Sequence, residues 1–159
     1  MTSPGRKGQT ADHPIRAFRE EDADAVAGVW HRSGRAAYPY LSTWQSFTLH
    51  QATLVFREHV APRCRIWVGL NGKTIVTFLA MSGSTIDRLY VDPLHWRQGW
   101  GSRWVEFAKS VSPNGLGLFT HQENTMARAL YEKHGFKAVR FGVSPPPESA
   151  PDVTYRWEP

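Results

Sequence analysis

The chain has 159 residues, 41% hydrophobic and 13% aromatic, a composition that suits one folded domain with a sizeable core and excludes an intrinsically disordered chain. Nineteen Lys and Arg against fourteen Asp and Glu leave a formal charge of +5, which favours an anionic partner without choosing among nucleic acid, a membrane and a phosphorylated cofactor. A single cysteine excludes an internal disulfide, and no apolar run approaches the roughly 18 residues that cross a bilayer, so a cytoplasmic protein without membrane contact is expected.

Residues 1 to 14 mix Ser, Gly, Thr, Lys and Pro without periodicity and read as a flexible leader, with one domain expected over 15–159. Arg6 and Lys7 are followed by no apolar stretch, so no secretory signal is read. Ile15 to Arg19 alternates as a short strand. Asp22 is then placed to cap a helix whose buried face is Ala23, Val26, Ala27 and Trp30, at i, i+3, i+4 and i+7. From Gly34 to Ser46 the pattern turns aromatic and is broken by Pro39. Tyr38, Tyr40, Leu41 and Trp44 in this stretch either pack a helix-loop-helix onto a sheet or line a substrate pocket, and Tyr38, Tyr40 and Trp44 are carried as substrate-contact candidates. A second helix is expected from about Ser46 to Val60, ended by Pro62.

Two β-rich runs, Arg65 to Leu70 and Lys73 to Met81, are joined by Asn71-Gly72, a strong hairpin signal because both residues tolerate positive φ. Thr85 to Val91 continues as a third strand. It leads into Asp92-Pro93-Leu94-His95-Trp96-Arg97-Gln98-Gly99-Trp100-Gly101-Ser102, where a strand stops at a proline, crosses a turn with two glycines, and opens into a helix. That layout is a phosphate cradle: glycine lets backbone approach an anion, and the unpaired N–H groups at a helix start point at it. Trp104, Phe107, Ala108 and Val111 give this helix one buried face, and Ser112 to Gly115 stop it.

Leu116 to Thr120 reads as a strand, Asn124 as the N-cap of a helix carrying Met126, Ala127, Leu130 and Tyr131, and Gly135 as its C-cap. Phe136 to Val143 is again β. A Pro-rich loop precedes a last strand, Val153 to Trp157. Helices interleaved with an antiparallel meander make a mixed α/β sheet.

The element order, the Val91-x-Pro93 step into Gln98-Gly99-Trp100-Gly101, and the run from Asn124 through Ala127 and Leu130-Tyr131 to Gly135-Phe136 together resemble the GCN5-related N-acetyltransferases. The resemblance spans almost everything from Ile15 to Trp157. It implies the acyl-CoA N-acyltransferase fold, a mostly antiparallel twisted sheet of six or seven strands flanked by helices. It also implies acetyl-CoA as cosubstrate and direct transfer of the acetyl group to a primary amine in a ternary complex. Residues Gln98 to Ser102 would then bind the pyrophosphate through backbone N–H groups. Leu89, Tyr90 and Val91 would pair with the pantetheine arm, Asn124 would touch that arm, and Tyr131 would be the general acid for the leaving thiolate. Trp96 falls at the first position of the loop pattern, and Arg97 stands where glycine is frequent. Arg97 or Arg103 could meet a CoA phosphate or remain solvated.

The base that deprotonates the amine is open at this level. Asp87 lies at even spacing from Leu89 and Val91 and so could face the same cleft; His121 and Glu123 lie just past the partner strand, and ordered water could serve instead. Cys64 reads as a buried apolar residue, not a nucleophile, and the seven histidines show no metal-ligand spacing. An acyl-CoA-binding module without turnover is the alternative that the same motifs allow. Nucleic-acid binding is not expected, since no basic helix or aromatic stacking motif supports it. The acceptor is an unspecified small-molecule or peptide amine, and a homodimer is left open.

Overall fold

The computed structural model describes residues 13–159. Strand β1 (Ile15–Ala17) leads through a 3₁₀ turn, Glu20–Asp22, into helix α1 (Ala23–Ala37), and two short helices follow, α2 (Ser42–Ser46) and α3 (Leu49–Val55). A π-helical turn at Phe56–Val60 extends α3. Then come β2 (Arg65–Asn71), β3 (Thr74–Ser82), β4 (Thr85–Val91), a 3₁₀ turn at Pro93–His95 and α4 (Trp100–Val111). The chain ends with β5 (Leu116–His121), α5 (Thr125–Lys133), β6 (Lys137–Val143) and β7 (Pro151–Trp157).

All seven strands form one sheet in the order β1-β2-β3-β4-β5-β7-β6. Every pairing is antiparallel except β4 with β5, which run parallel and match only at Thr85↔Gly117 and Ile86↔Leu118. Past Ile86 the two central strands therefore have no mutual register, and the sheet opens between them.

Both faces are covered. On one, α1, α2 and α3 bury Val26, Ala27, Trp30, Trp44 and Phe56 against Val68 and Phe78. On the other, α4 and α5 bury Trp100, Trp104, Val105 and Tyr131 against Leu79, Ile86 and Leu118. Strand β3 is buried continuously from Val76 to Met81, as a central strand with helices on both sides must be. Its buried Thr77 is satisfied twice: Oγ1 donates to Tyr90 O at 2.7 Å and accepts Trp104 Nε1 at 2.8 Å.

Several sequence expectations need correction. The helix expected to give way to an aromatic loop at Gly34 continues to Ala37. Gly34 is there for space, because a Cβ at this position would lie 2.2 Å from the Trp44 ring. Trp44 is 6% exposed and meets Trp30 edge-on at 5.8 Å, so it belongs to the core and not to a substrate pocket. The single helix expected from Ser46 to Val60 is two, split because Thr48 and Gln51 form a reciprocal capping box that starts α3 afresh.

Asp22 holds the N-cap position expected of it, but its side chain makes no cap hydrogen bond to α1. It accepts Arg16 Nη1 at 2.7 Å, Arg16 Nη2 at 3.0 Å and Arg19 N at 2.8 Å, which ties β1 to the start of α1. The leader expected over 1 to 14 falls outside the described residues except at its end. There His13 O accepts Arg103 Nη1 at 2.9 Å and Pro14 O accepts Leu70 N at 3.0 Å, so these two residues join the domain.

Candidate active site

Strand β4 stops where Pro93 removes a ladder donor and begins the 3₁₀ turn, which Asp92 caps by accepting Leu94 N at 3.2 Å. Arg32 on α1 grips the same carboxylate through Nε at 2.8 Å and Nη2 at 2.6 Å. Trp96 Nε1 donates to Val91 O at 2.6 Å. The loop is thus pinned at its start and middle before it reaches the glycines.

Arg97 and Gly99 both take positive φ, +61° and +87°. That conformation is uncommon for a residue with a Cβ, which accounts for the frequency of glycine at the Arg97 position in the pattern this loop resembles. Gly99 caps α4 without a side-chain acceptor. The N–H groups of Trp100, Gly101 and Ser102 therefore have no intrahelical partner, and among the described residues they donate to no other group. They form an anion seat at the positive end of the α4 dipole. The Trp100 side chain points elsewhere: it is 4% exposed, stacks on Trp104 at 6.3 Å, and covers Gly69, where a Cβ would meet its ring at 2.6 Å. Gly101 is crowded from the other side, with Leu130 Cδ2 2.8 Å from a would-be Cβ.

A row of main-chain groups leads away from this seat. Asp92 N donates to Val76 O, so in the alternating antiparallel ladder the main-chain groups of Leu89 and Val91 face away from β3 and into the opening. Val91 O is already taken there, by Trp96 Nε1 at 2.6 Å and Ser33 Oγ at 2.8 Å. The Val91 N–H and both main-chain groups of Leu89 are left at the open edge.

A cavity of about 390 Å³ joins the seat, this edge and a group of hydroxyls. Tyr131, Tyr38, Tyr90 and Asn124 lie on its wall. Asn124 fills two roles, accepting Ala127 N at 3.1 Å as N-cap and donating from Nδ2 to Tyr38 Oη at 3.4 Å. Burial raises the phenols of Tyr38, Tyr90 and Tyr131, and the proximity of Tyr38 raises Tyr90 and Tyr131 further. All three stay neutral and act as donors over any ordinary pH range. The whole arrangement fits an extended ligand with an anionic end, an amide-bearing middle and a reactive far end.

The remaining site expectations divide. Arg97 lines the cavity, whereas the exposed Gln98 turns to His95 Nδ1 at 3.3 Å. Ser102 lines it too, with Oγ 3.0 Å from His134 Nε2. Arg103 is directed to His13 and lies over the Trp100 ring at 4.5 Å, away from the loop. Tyr40 is 42% exposed and sits edge-on to Tyr38 at 6.2 Å.

Asp87 is the unmatched residue of a β-bulge, since the register steps from Ala80↔Arg88 to Met81↔Ile86. The bulge breaks the even spacing that linked Asp87 to Leu89 and Val91, yet Asp87 still lines the cavity beside them. Asp87 pairs with Arg88 and borders Cys64, whose thiol is pushed up to about 11 by burial first and the Asp87 charge second. His121 stands behind Tyr38, their ring centroids 4.5 Å apart, with Nε2 2.6 Å from Glu148 Oε2. Arg32 was not singled out from sequence, and Trp96 and Leu130 were named there only as parts of motifs, not for the contacts they make. The Arg32–Asp92 contact joins residues sixty apart, which leaves no local signal, while Leu130 stands inside the motif around Tyr131. Among the described residues there is no group of His, Cys, Asp and Glu that could hold a metal, and no helix long and apolar enough to cross a membrane.

A family model described as an acetyltransferase (GNAT) domain matches residues 62–138. The peptidyl-lysine N-acetyltransferase YjaB of Salmonella typhimurium is 32% identical over 126 residues, which cover 79% of this chain and 83% of that protein. The solution structure of apo YjaB from Escherichia coli matches with a TM-score of 0.75 at 26% identity, over 91% of this chain and 96% of that one. The PaiA N-acetyltransferase of Thermoplasma acidophilum, solved in complex with coenzyme A, shares the fold with a TM-score of 0.65 at 16% identity, over 92% and 99% of the two chains.

Proposed function

The chain belongs to the GCN5-related N-acetyltransferases and draws its acetyl group from acetyl-CoA, and from that premise we propose that it acetylates lysine side chains of peptides or proteins by direct transfer in a ternary complex. The observation that carries the transfer is the continuity of the anion seat, the unpaired β4 edge and the Tyr131 hydroxyl along one cavity. The lysine acceptor is supported by the relatives at 32% identity, which are named peptidyl-lysine N-acetyltransferases.

Acetyl-CoA supplies an activated acetyl carbon and a sulfur leaving group. The N–H groups of Trp100, Gly101 and Ser102 hold its pyrophosphate, with Arg97 beside them. Leu89 and Val91 pair with the pantetheine amides as a further strand would, which keeps the arm extended toward the opening between β4 and β5. Tyr131 donates a hydrogen bond to the sulfur as charge develops there. Burial keeps that phenol protonated, so it stabilises the thiolate by sharing its proton instead of surrendering it outright. Tyr38 and Tyr40 border the acceptor's path, and a lysine ammonium must lose a proton to enter as nucleophile.

The test is mass spectrometry of lysine-containing peptides incubated with the protein and acetyl-CoA, with initial rates measured while both substrates are varied. Acetyl-lysine with intersecting double-reciprocal lines is expected. Transfer confined to free amino acids or other small amines would overturn the lysine acceptor, and parallel lines would overturn direct transfer.

A further inference from the structure

The end of α5 closes against the first turns of α4, and the two meet through polar side chains. His134 Nε2 lies 3.0 Å from Ser102 Oγ, and His134 Nδ1 lies 3.1 Å from Glu106 Oε1. The imidazole is largely enclosed, its side chain 13% exposed, whereas the Glu106 side chain keeps 63%. Lys109, further along α4, joins the helices at the same point. Its Nζ donates to His134 O at 2.7 Å, stands 3.7 Å from Glu106 Oε1 and lies over the Trp157 ring at 4.8 Å. The imidazole adds something more specific than a pin.

Its contribution is set by where the protons are. The Glu106 carboxylate only accepts, so Nδ1 carries a proton. When the ring is neutral, Nε2 is a bare acceptor, and the one hydroxyl proton of Ser102 points at it. Ser102 Oγ then has only lone pairs to offer elsewhere. Yet Ser102 gives its N–H to the anion seat and lines the cavity, so this oxygen stands beside the place that an anion takes. Lone pairs turned toward a pyrophosphate oxygen repel it. A second proton, on Nε2, reverses the contact: the ring donates to Oγ, and the hydroxyl proton is released to point at the anion. Glu106 offsets the charge so formed.

We propose that His134, held by Glu106, is a positioning residue for Ser102, and that acetyl-CoA binding draws a proton onto Nε2 so that the Ser102 hydroxyl donates to the pyrophosphate. The assignment rests on the reading above in which the start of α4 holds that group. The proton comes from water, its new bond is to Nε2, and no bond within the cofactor changes. The charged groups that face the ring are Glu106 and Lys109 on α4, with Lys133 beside it in the chain. Arg103 on α4 is turned to His13 and Glu132 on α5 to Tyr155, and β7 presents the uncharged Trp157 ring, 3.5 Å from a would-be Cβ at Gly135. Among these side chains, imidazole is the one that ordinarily titrates near neutrality.

The test is calorimetric titration with acetyl-CoA from about pH 6 to about pH 8.5, in two buffers of different ionisation enthalpy so that protons taken up are counted. His134→Gln places an amide donor against Ser102 with no proton to gain, and it is the reference. The cofactor's own phosphomonoester, which titrates near pH 6, is common to every titration and cancels in the comparison. Relative to His134→Gln, the unmodified protein is expected to take up more protons, by up to about one, and to lose a further threefold to tenfold, roughly, in affinity toward the alkaline end. Ser102→Ala should bind about threefold to tenfold more weakly at the acid end and lose most of the uptake. Melting temperatures without ligand show that the variants fold; if His134→Gln does not, Ser102→Ala becomes the reference. Equal uptake in the unmodified protein and the reference, or full uptake in Ser102→Ala, would overturn the assignment alone. If acetyl-pantetheine, which lacks the pyrophosphate, binds as tightly as acetyl-CoA, the reading of the seat falls and this assignment with it.

Discussion

Trp96 Nε1 donates to the carbonyl oxygen of Val91 at 2.6 Å, so the loop that leaves β4 closes back on the edge of the strand it has left. Ser33 Oγ meets the same oxygen at 2.8 Å from the other side. One acceptor on the open edge is thereby removed from ligand contact, and the loop is set before the glycines. Trp96→Phe keeps most of the ring but loses the bond. It is expected to cost about 1 kcal/mol in urea unfolding and to raise KM for acetyl-CoA several-fold, with kcat less affected. An unchanged KM would mean that the glycine loop holds its shape without Trp96.

Tyr131 is 6% exposed and packs its ring against Phe136 at 5.5 Å and Tyr155 at 6.2 Å, so most of its contribution to the fold is carbon. Tyr131→Phe should change stability by less than about 1 kcal/mol while turnover falls at least about tenfold. The phenol's folded pKa lies above its unfolded value near 10, so the stability it contributes is complete below about pH 10 and is lost as pH rises beyond that, where the unfolded chain ionises first. Urea midpoints across this alkaline range should decline less steeply in Tyr131→Phe.

Asp22 behaves in the opposite sense. Hydrogen bonds from Arg16 hold its carboxyl below the ordinary range, against the opposing effect of burial. A depressed pKa contributes stability that is complete above the unfolded value near 4 and is lost as pH falls through the folded one. Asp22→Asn is expected to remove about 2 kcal/mol at neutral pH and to flatten the acid limb of the stability curve. Equal acid sensitivity in the two proteins would show that other carboxylates govern that limb.

Gly34 sits where a Cβ would lie 2.2 Å from the rigid ring of Trp44, with helical backbone on both sides. Gly34→Ala gains helix propensity of about 1 kcal/mol, yet overpacking of a core aromatic costs about 1–3 kcal/mol. A net loss in melting temperature is expected, with a change in tryptophan fluorescence as Trp44 shifts against Trp30. A rise in melting temperature would mean that α2 can move away freely.

Much of the scaffold was legible because its signals are local. Asn71-Gly72 marked the β2–β3 turn, where Gly72 takes φ +61°. Thr85 to Val91 was read at its observed bounds, and Asn124 was read as the cap it is. Readings failed where a distant contact overrode a local signal. Gly34 was read as the start of an aromatic, broken stretch and is a helical contact site for Trp44. Asp22 takes the cap position read for it, but its side chain is claimed by Arg16. Asp87 does line the cavity, but the extra residue that it forms on β4, visible only in the pairing with β3, was not read.

For the site the division is the same. The order of motifs along the chain determined by itself the family, the acetyl donor, and the expectation of an anion seat at Gly99 to Ser102, because a strand, a glycine turn and a helix start are contiguous in sequence. Only the tertiary structure decided which groups share the cavity. The parting of β4 from β5, the return of Trp96 to Val91, the meeting of Tyr38 with Asn124, and the contact of Ser102 with His134 all join residues brought together by sheet order and packing. Such contacts depend on how the elements stack, and no periodicity within any one element encodes them.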